Sequence, residues 1–425
     1  MNIEELYTLY LQNPSVETDT RKIKKGDVFF ALKGPKYNGN DYAEQALLAG
    51  ATYCICDEVT QFKSDRIILV DDSLRTLQQL AKFHRQQFSI PFIAITGSNG
   101  KTTTKELVSA VLSTRYKTYT TEGNLNNHIG VPLTILRVRK DAEMAIIEMG
   151  ANHRQEIAGY CEYCLPTHGN ITNCGKAHLE GFGGEEGVKK GKGELFDFIR
   201  ESHGTAFINA DYNYLEGMSH GIERIVRYGE TKGEITGTVV NDETYLEVSI
   251  NHGADLPSLK TQLVGGYNLP NILTAVCIGK AFNVPEAAIK AAIESYSPSN
   301  SRSQLIQQNG SKIIMDAYNA NPTSMKAAIE NFAKMEGDRK IVILGAMMEL
   351  GEASLLEHAA IVELLSQLTW HRVVLVGKDF TDLPPSFLHF ADSMQAKEWY
   401  QKQKFENCQL LIKGSRGLQM EKVVE

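Results

Sequence analysis

Apolar residues in this chain gather in short continuous runs, separated by stretches where they recur at helical spacing. Runs at 27–32, 67–70, 91–96, 144–148, 168–172, 206–209, 312–316, 341–344, 373–376 and 410–413 predict strands. Amphipathic stretches at 41–49, 73–87, 101–114, 323–335, 354–367 and 394–403 predict helices. Continuous rather than alternating apolar runs indicate strands covered on both faces. With helices between them, they predict an α/β fold built on mainly parallel sheets. Residues 237–250 differ, because they alternate and are rich in Thr and Val, which predicts an antiparallel appendage.

This rhythm divides the chain into three. Residues 1–88 predict a small α/β domain and 89–298 a central domain with a mainly parallel sheet. Residues 299–425 repeat strand and helix in the manner of a compact, Rossmann-like doubly wound domain. Pro298 and its Ser and Asn neighbours mark the linker. A length of 425 residues agrees with several domains. Neither a solenoid repeat nor a low-complexity tract is visible.

Composition narrows the picture. The chain is 42% hydrophobic and 22% charged, as ordinary globular units are. Net charge is −7 and no basic block stands out, which argues against a nucleic-acid surface. Any anionic ligand must therefore be held by local groups. The first residues, Met1 to Leu6, lack a basic segment followed by an apolar one, and no apolar run is long enough to span a bilayer. A cytoplasmic protein without membrane insertion is expected. The seven cysteines are scattered; Cys161 and Cys164 form a C-x-x-C with no second pair to complete a zinc set. Reduced thiols fit better.

The chemistry concentrates at residues 97–106, GSNGKTTTKE, between a predicted strand and a predicted helix. A Gly-rich turn there cradles phosphate, because its N–H groups point inward and the helix start adds partial positive charge. Gly97, Ser98, Asn99, Gly100, Lys101, Thr102 and Thr103 are the expected ATP-binding residues. Lys101 can reach the β- and γ-phosphates and the Thr102 hydroxyl can ligate Mg²⁺. The strict G-x-x-x-x-G-K-S/T pattern is not met, since Ile95 stands where its first Gly belongs. The loop is the shorter G-x-x-G-K-T form.

Further candidates sit at other strand ends. Glu148 closes an apolar strand and would face the ligand crevice as a Mg²⁺ ligand, unless it is a solvated strand-end carboxylate. His178 lies in a Gly-rich stretch after another strand, where a satisfied polar group and a functional one are both open readings. Lys192 belongs to a charged run with Lys189 and Lys190, and composition singles out none of the three. Asn268 and Asn271 open a helix and could read the adenine edge or cap the helix. Residues 316–321, DAYNAN, follow the first strand of the last domain and suit a ligand loop, although Asn and Asp also form ordinary turns.

Taken in order, GSNGKTTTKE, 148–150, 177–183, 192–196, 267–271 and 316–321 resemble the Mur ligases, ATP-dependent amide-forming enzymes of peptidoglycan precursor synthesis. The resemblance covers essentially the whole chain. Residues 18–22, 30–34, 122–132 and 411–416 narrow it to the member that joins D-alanyl-D-alanine to UDP-N-acetylmuramoyl-tripeptide. One departure is His128, where an Asp is common in the family.

The resemblance implies roles for particular residues. Lys101, Lys192, His178 and Arg302 would be catalytic. Thr102, Glu148, His178 and Lys192 would hold magnesium, with Lys192 carbamylated. Asn268 and Asn271 would flank adenine, Arg302 would meet the phosphates and Asp316 the ribose. Thr18, Asp19, Thr20, Arg21, Asn124, Asn126 and Asn127 would bind the UDP substrate. Tyr318, Asn319 and Asn321 would lie near the dipeptide. ATP and Mg²⁺ are implied, with a monomer as the expected state. The implied reaction activates a carboxylate as an acyl phosphate, which the dipeptide amine then attacks.

Two rival readings stand beside this one. A sister ligase or a folylpolyglutamate-type ligase would share the phosphate loop but should lack 316–321 in this form. A nucleotide-dependent binding or switch protein, of another class, would not tie phosphate release to two organic substrates.

Overall fold

The computed structural model describes residues 1–298, 301–403 and 405–425. The linker expected around Pro298 therefore lies in part, at 299 and 300, outside the described residues.

A nine-stranded sheet forms the middle of the molecule. Its core strands, Phe92–Thr96 and Met144–Glu148, are buried at every position, as their unbroken apolar runs require. In space the strands run Leu259–Lys260, Glu247–His252, Ile235–Asn241, Arg224–Gly229, Thr205–Asn209, His168–Ile171, Phe92–Thr96, Met144–Glu148, Thr118–Thr120. All neighbours are parallel from Ile235–Asn241 onward in that order. The expected antiparallel appendage is Ile235–Asn241 with Glu247–His252, and it continues the main sheet instead of standing apart. After leaving Phe92–Thr96 the chain builds first on one side of that strand and then on the other. Thr96, Glu148 and Ile171 thus end at one edge beside a switch point, where open α/β sheets bind ligands.

Two smaller sheets flank it. Val16–Glu17, Val28–Phe30, Tyr53–Cys56 and Ile67–Leu69 pair in parallel. The predicted strand 27–32 stops at Phe30, because the Leu32 carbonyl accepts a hydrogen bond from Gly39 N–H across a small hairpin. The third sheet runs Gln304–Gln308, Ser311–Asp316, Gln409–Lys413, Lys340–Gly345, Arg372–Val376, Leu388–Phe390. Its first pair is antiparallel and the rest are parallel.

The first sheet is fastened to the central one through helix Ser73–Arg85. Leu77, Leu80 and Ala81 join one core with Val131, Ile135 and Val138 of the central unit. Arg85 donates to the Cys164 and Leu165 carbonyls at 2.9 and 3.0 Å and stacks 3.8 Å over Phe92. Among the described residues, no helix is long and apolar enough to cross a membrane.

Candidate active site

The phosphate loop follows strand Phe92–Thr96 and opens helix Lys101–Ser113. Glycine is required at both ends of it. Gly97 has φ 140° and a Cβ there would lie 2.0 Å from Thr172 Oγ1; Gly100 has φ 80° and a Cβ would lie 2.5 Å from Asn271 Oδ1. The loop is held from the next strand end. Asn173 accepts from Ser98 N–H through its carbonyl, 2.9 Å, and from Asn99 N–H through its side chain, 3.0 Å. Lys101 folds back on its own loop, donating to the Gly97 and Ser98 carbonyls at 2.7 and 3.0 Å. Solvent still reaches part of it. Burial nonetheless lowers its ammonium to about 8; Glu148 opposes that shift and the charge of Arg302 adds to it.

Glu148 is 1% exposed. Its Oε1 accepts from Thr102 Oγ1 at 3.1 Å and from Asn126 Nδ2 at 2.7 Å, and its N–H donates to Thr121 Oγ1 at 3.0 Å. Oε2 is buried without a partner among the described residues. A carboxylate oxygen left bare inside a protein is costly, and a bound cation is one way to satisfy it. With a threonine hydroxyl on the same carboxylate, the donor chemistry fits Mg²⁺. Among the described residues, no three His, Cys, Asp or Glu side chains cluster as a ready-made metal site. The expected set is mixed in type and depends on a modified lysine.

Burial separates the three lysines that the sequence leaves equivalent. Lys190 is exposed and Lys189 pairs with Glu186 on the surface, whereas Lys192 is 1% exposed. Lys192 donates to the Ala151 carbonyl at 3.1 Å and lies 5.0 Å from the centre of the Phe182 ring. Burial first, and then the charge of Lys101, bring its ammonium down to about 7. His178 has a left-handed backbone, φ 52°, and opens the short helix Leu179–Phe182. That helix lies against the loop after Glu148, since a Cβ on Gly181 would come 2.2 Å from the Asn152 carbonyl oxygen. The imidazole Nδ1 lies 2.5 Å from Glu349 Oε2, at ion-pair distance but off the axis of a hydrogen bond.

Asn268 and Asn271 are buried beneath the loop helix. Thr104 Oγ1 donates to Asn271 Oδ1 at 3.0 Å, Asn271 Nδ2 to Asn268 Oδ1 at 2.9 Å, and Asn268 Nδ2 to the Val264 carbonyl at 2.9 Å. Both amides thus brace the phosphate loop. Arg302 stacks 3.7 Å over Tyr318, and its buried Nε has no partner among the described residues. Asp316 pairs with buried Lys413 at 2.5 Å. Asn319 is exposed, its Oδ1 accepting from Ala320 N–H at 2.9 Å. Asn321 caps helix Pro322–Lys334 through Ser324 N–H and donates from Nδ2 to Asn99 Oδ1 at 2.7 Å. The third sheet is therefore bonded directly to the phosphate loop.

The first sheet contributes from further away. Glu17 accepts from Thr18 and Asp19 N–H at 2.8 and 3.0 Å, and Asp19 caps the turn Thr20–Lys22. Arg21 is 84% exposed and forks onto Asp19, whose carboxyl it holds down at about 2. Asn124 and Asn127 are exposed on the loop that carries Asn126 to Glu148; Asn127 Oδ1 accepts from Ile129 and Gly130 N–H. His128 is exposed, and its carbonyl accepts from Gln78 of the first unit at 3.1 Å. Cys161 and Cys164 are buried in helix Glu156–Cys164, and burial raises both thiols, Cys164 to about 12. That environment suits inert core thiols.

Three family profiles match in chain order: the Mur ligase family catalytic domain over 14–85, the Mur ligase middle domain over 95–279 and the Mur ligase glutamate ligase domain over 301–414. The UDP-N-acetylmuramoyl-tripeptide–D-alanyl-D-alanine ligase of Bacillus subtilis is 33% identical over all of this chain and 97% of its own length. The chain belongs to the Mur ligase family. Solved Mur ligase structures superpose on it across its length. MurF from Acinetobacter baumannii gives a TM-score of 0.87 at 30% identity, covering 96% of this chain and 92% of its own. MurF ligase from Thermotoga maritima in complex with ADP gives 0.87 at 28% identity, covering 97% of each.

Residues that sequence reading passed over complete this Mur ligase site. Asn173 holds the loop, Thr121 holds Glu148, and buried Lys105 donates to the Thr121 carbonyl at 2.9 Å. Asn173 lies two residues past the end of strand His168–Ile171, a position that could have marked it. Thr121 follows the three-residue edge strand Thr118–Thr120, which no sequence period announces, and Lys105 lies within 97–106 with nothing to set it apart there.

Proposed function

We propose that this chain is the ATP-dependent ligase that joins D-alanyl-D-alanine to UDP-N-acetylmuramoyl-tripeptide, giving the pentapeptide precursor of peptidoglycan with ADP and phosphate. The observation that carries this reading is structural. A phosphate loop, a buried carboxylate with a bare oxygen and a buried lysine of lowered basicity meet at one sheet edge. The loop of 316–321 is hydrogen-bonded to them. Relatives of that name along the whole chain, and ADP in a structural neighbour, support it.

In the mechanism we infer, the loop N–H groups, the start of helix Lys101–Ser113 and the Lys101 ammonium hold the ATP phosphates. The substrate carboxylate must approach an anionic γ-phosphate, and Lys101 and Arg302 offset that repulsion. Lys101 then exchanges its two loop carbonyls for phosphate oxygens. Thr102, Glu148, His178 and a carbamylated Lys192 would hold Mg²⁺, which supplies charge neutralisation at the phosphates. Lys192 suits carbamylation because its lowered pKa leaves much of it as free amine near pH 7. The amine nitrogen bonds to the carbon of CO₂ and loses a proton, turning a buried cation into an anion. Attack on the γ-phosphorus gives an acyl phosphate and ADP. The dipeptide amine then attacks the acyl carbon and phosphate leaves. Tyr318, Asn319 and Asn321 position the dipeptide, and the Asn99–Asn321 bond keeps that loop over the site so that water is excluded.

Residues 1–88 serve as the UDP-substrate domain, 89–298 as the ATP domain and 299–425 as the acceptor domain in this reading. Thr18 to Arg21 and the loop of Asn124 to Asn127 take the UDP substrate. Asn268 and Asn271 serve adenine by bracing the loop helix, and Asp316 reaches the ribose from its pair with Lys413. The enzyme works as a cytoplasmic monomer.

A substrate matrix tests the proposal. UDP-N-acetylmuramoyl peptides ending in meso-diaminopimelate or lysine are crossed with D-alanyl-D-alanine and with single amino acids, and phosphate release is read. Release only with a tripeptide and the dipeptide together is expected. Release with single amino acids would point to a sister ligase. Release with neither acceptor would point to a nucleotide-dependent switch.

A further inference from the structure

His178 and Glu349 face each other across the boundary between the central and third sheets, and both are strained. Each is a non-glycine residue in the left-handed region, with φ 52° and 63°. Such conformations persist only where the surroundings enforce them. Here the enforcement is visible. Glu180 N–H donates to the Glu349 carbonyl at 3.3 Å, and a Cβ on Gly351 would come 3.2 Å from the Glu180 side chain. The result is a carboxylate oxygen 2.5 Å from a buried imidazole nitrogen. The Glu349 side chain is 50% exposed, so neither packing nor a core contact explains its place.

A neutral imidazole carries one proton, and the group facing one nitrogen decides which nitrogen keeps it. Metal-binding histidines recurrently give the other N–H to a carboxylate. We propose that Glu349 is a positioning residue: its carboxylate takes the Nδ1 proton of His178 in hydrogen bond and leaves Nε2 as the lone-pair nitrogen for a divalent cation. The off-axis approach is corrected by rotation of the half-exposed Glu349 side chain. Because Glu349 belongs to the acceptor unit, His178 is set in its ligating form only when that unit is docked. The inference rests on the metal role given to His178 above.

The test uses the full chain labelled with ¹⁵N-histidine and loaded with ADP. The His178 signal is identified by its loss in His178→Gln. Mn²⁺ binding is read by electron paramagnetic resonance. In the unaltered protein the Nδ1–H tautomer is expected. Glu349→Ala should mix the tautomers and weaken Mn²⁺ binding by about 10–100-fold, the usual effect of removing such a carboxylate. Glu349→Gln, which offers an oxygen without the charge, should fall between. Unchanged tautomer and unchanged Mn²⁺ affinity in Glu349→Ala would overturn the inference, including the case where only the KM for D-alanyl-D-alanine rises. If His178→Gln weakens Mn²⁺ binding and Glu349→Ala does not, this inference alone falls. If His178→Gln also leaves binding intact, the metal assignment falls and takes this inference with it.

Discussion

Lys101 spends its charge on two carbonyls of its own loop and shares a field with Glu148, Lys192 and Arg302. It is therefore poised for an anion and contributes little to the core. Lys101→Ala should cut phosphate release by roughly a hundredfold or more, the scale of losing a preorganised charge-stabilising donor. Its thermal midpoint should stay close to the parent's, since a partly exposed loop side chain is replaced. Steady-state phosphate release with calorimetry on the same sample checks both halves. Lys192 calls for a different test, because its expected function begins with the loss of its positive charge. Lys192→Ala should be nearly inactive, and formate or acetate should restore part of the rate by supplying the missing anion. Full activity without additive would exclude the carbamate. Lys101 and Thr102 were legible in the sequence because the phosphate loop fixes their spacing from a strand end. Lys192 was legible only by resemblance. What distinguishes it from Lys189 and Lys190 is burial, which depends on the packing of Phe182 and Ala151 around it. The role proposed for Glu349 was not legible, since it rests on a contact between distant parts of the chain.

At the scale of elements, the helix Pro322–Lys334 shows how one residue serves structure and site together. Asn321 satisfies Ser324 N–H as a helix cap and also reaches Asn99 in the phosphate loop. The two tasks can be separated. Serine caps about as well as asparagine but is too short to span to Asn99, so Asn321→Ser should lose the bridge alone, at about 1 kcal/mol. Asn321→Ala should lose the cap as well, at about 1 kcal/mol. Both variants should show a raised KM for D-alanyl-D-alanine if the bridge matters, and the alanine variant, which also loses the cap, should be the less stable of the two. A normal KM in the serine variant would reduce Asn321 to a cap. The buried strands of the central and third sheets were legible because both faces are covered, which produces unbroken apolar runs. The short edge strands Val16–Glu17 and Thr118–Thr120 were not, because two or three residues carry no period. Gly237 to Ile250 was read correctly as antiparallel, yet its join to the main sheet depends on the Tyr228–Ile235 pairing, which no local pattern announces.

At the scale of the molecule, the first sheet looks separable in sequence but is not separable in packing. Leu6, Tyr10, Leu77 and Leu80 share a core with Val131, Leu136 and Val138, so cutting the chain near residue 88 would expose an apolar face instead of releasing a clean domain. That joint also holds a titratable group. His84 is 5% exposed, its Nε2 lies 2.8 Å from the Val138 carbonyl and its Nδ1 3.1 Å from the Tyr7 hydroxyl. Burial first, with the charge of Arg139 adding, lowers it from 6.5 to about 4. A depressed histidine favours the folded state most fully above its unfolded pKa. As pH falls from 6.5 toward 4 the unfolded chain takes up the proton and the folded chain does not, so stability is lost at up to about 1.4 kcal/mol per pH unit. The window from 6.5 to 5 lies mostly above the carboxylates, which makes the histidine contribution readable. Urea midpoints measured across it should fall with acid, and His84→Gln should flatten the slope. Glutamine can donate to Val138 and accept from Tyr7 without titrating. His168, also lowered to about 4 by burial in the central unit, should keep its share of the slope in that variant. A His84→Gln slope equal to the parent's would mean that the joint between the first and central units is not where acid acts.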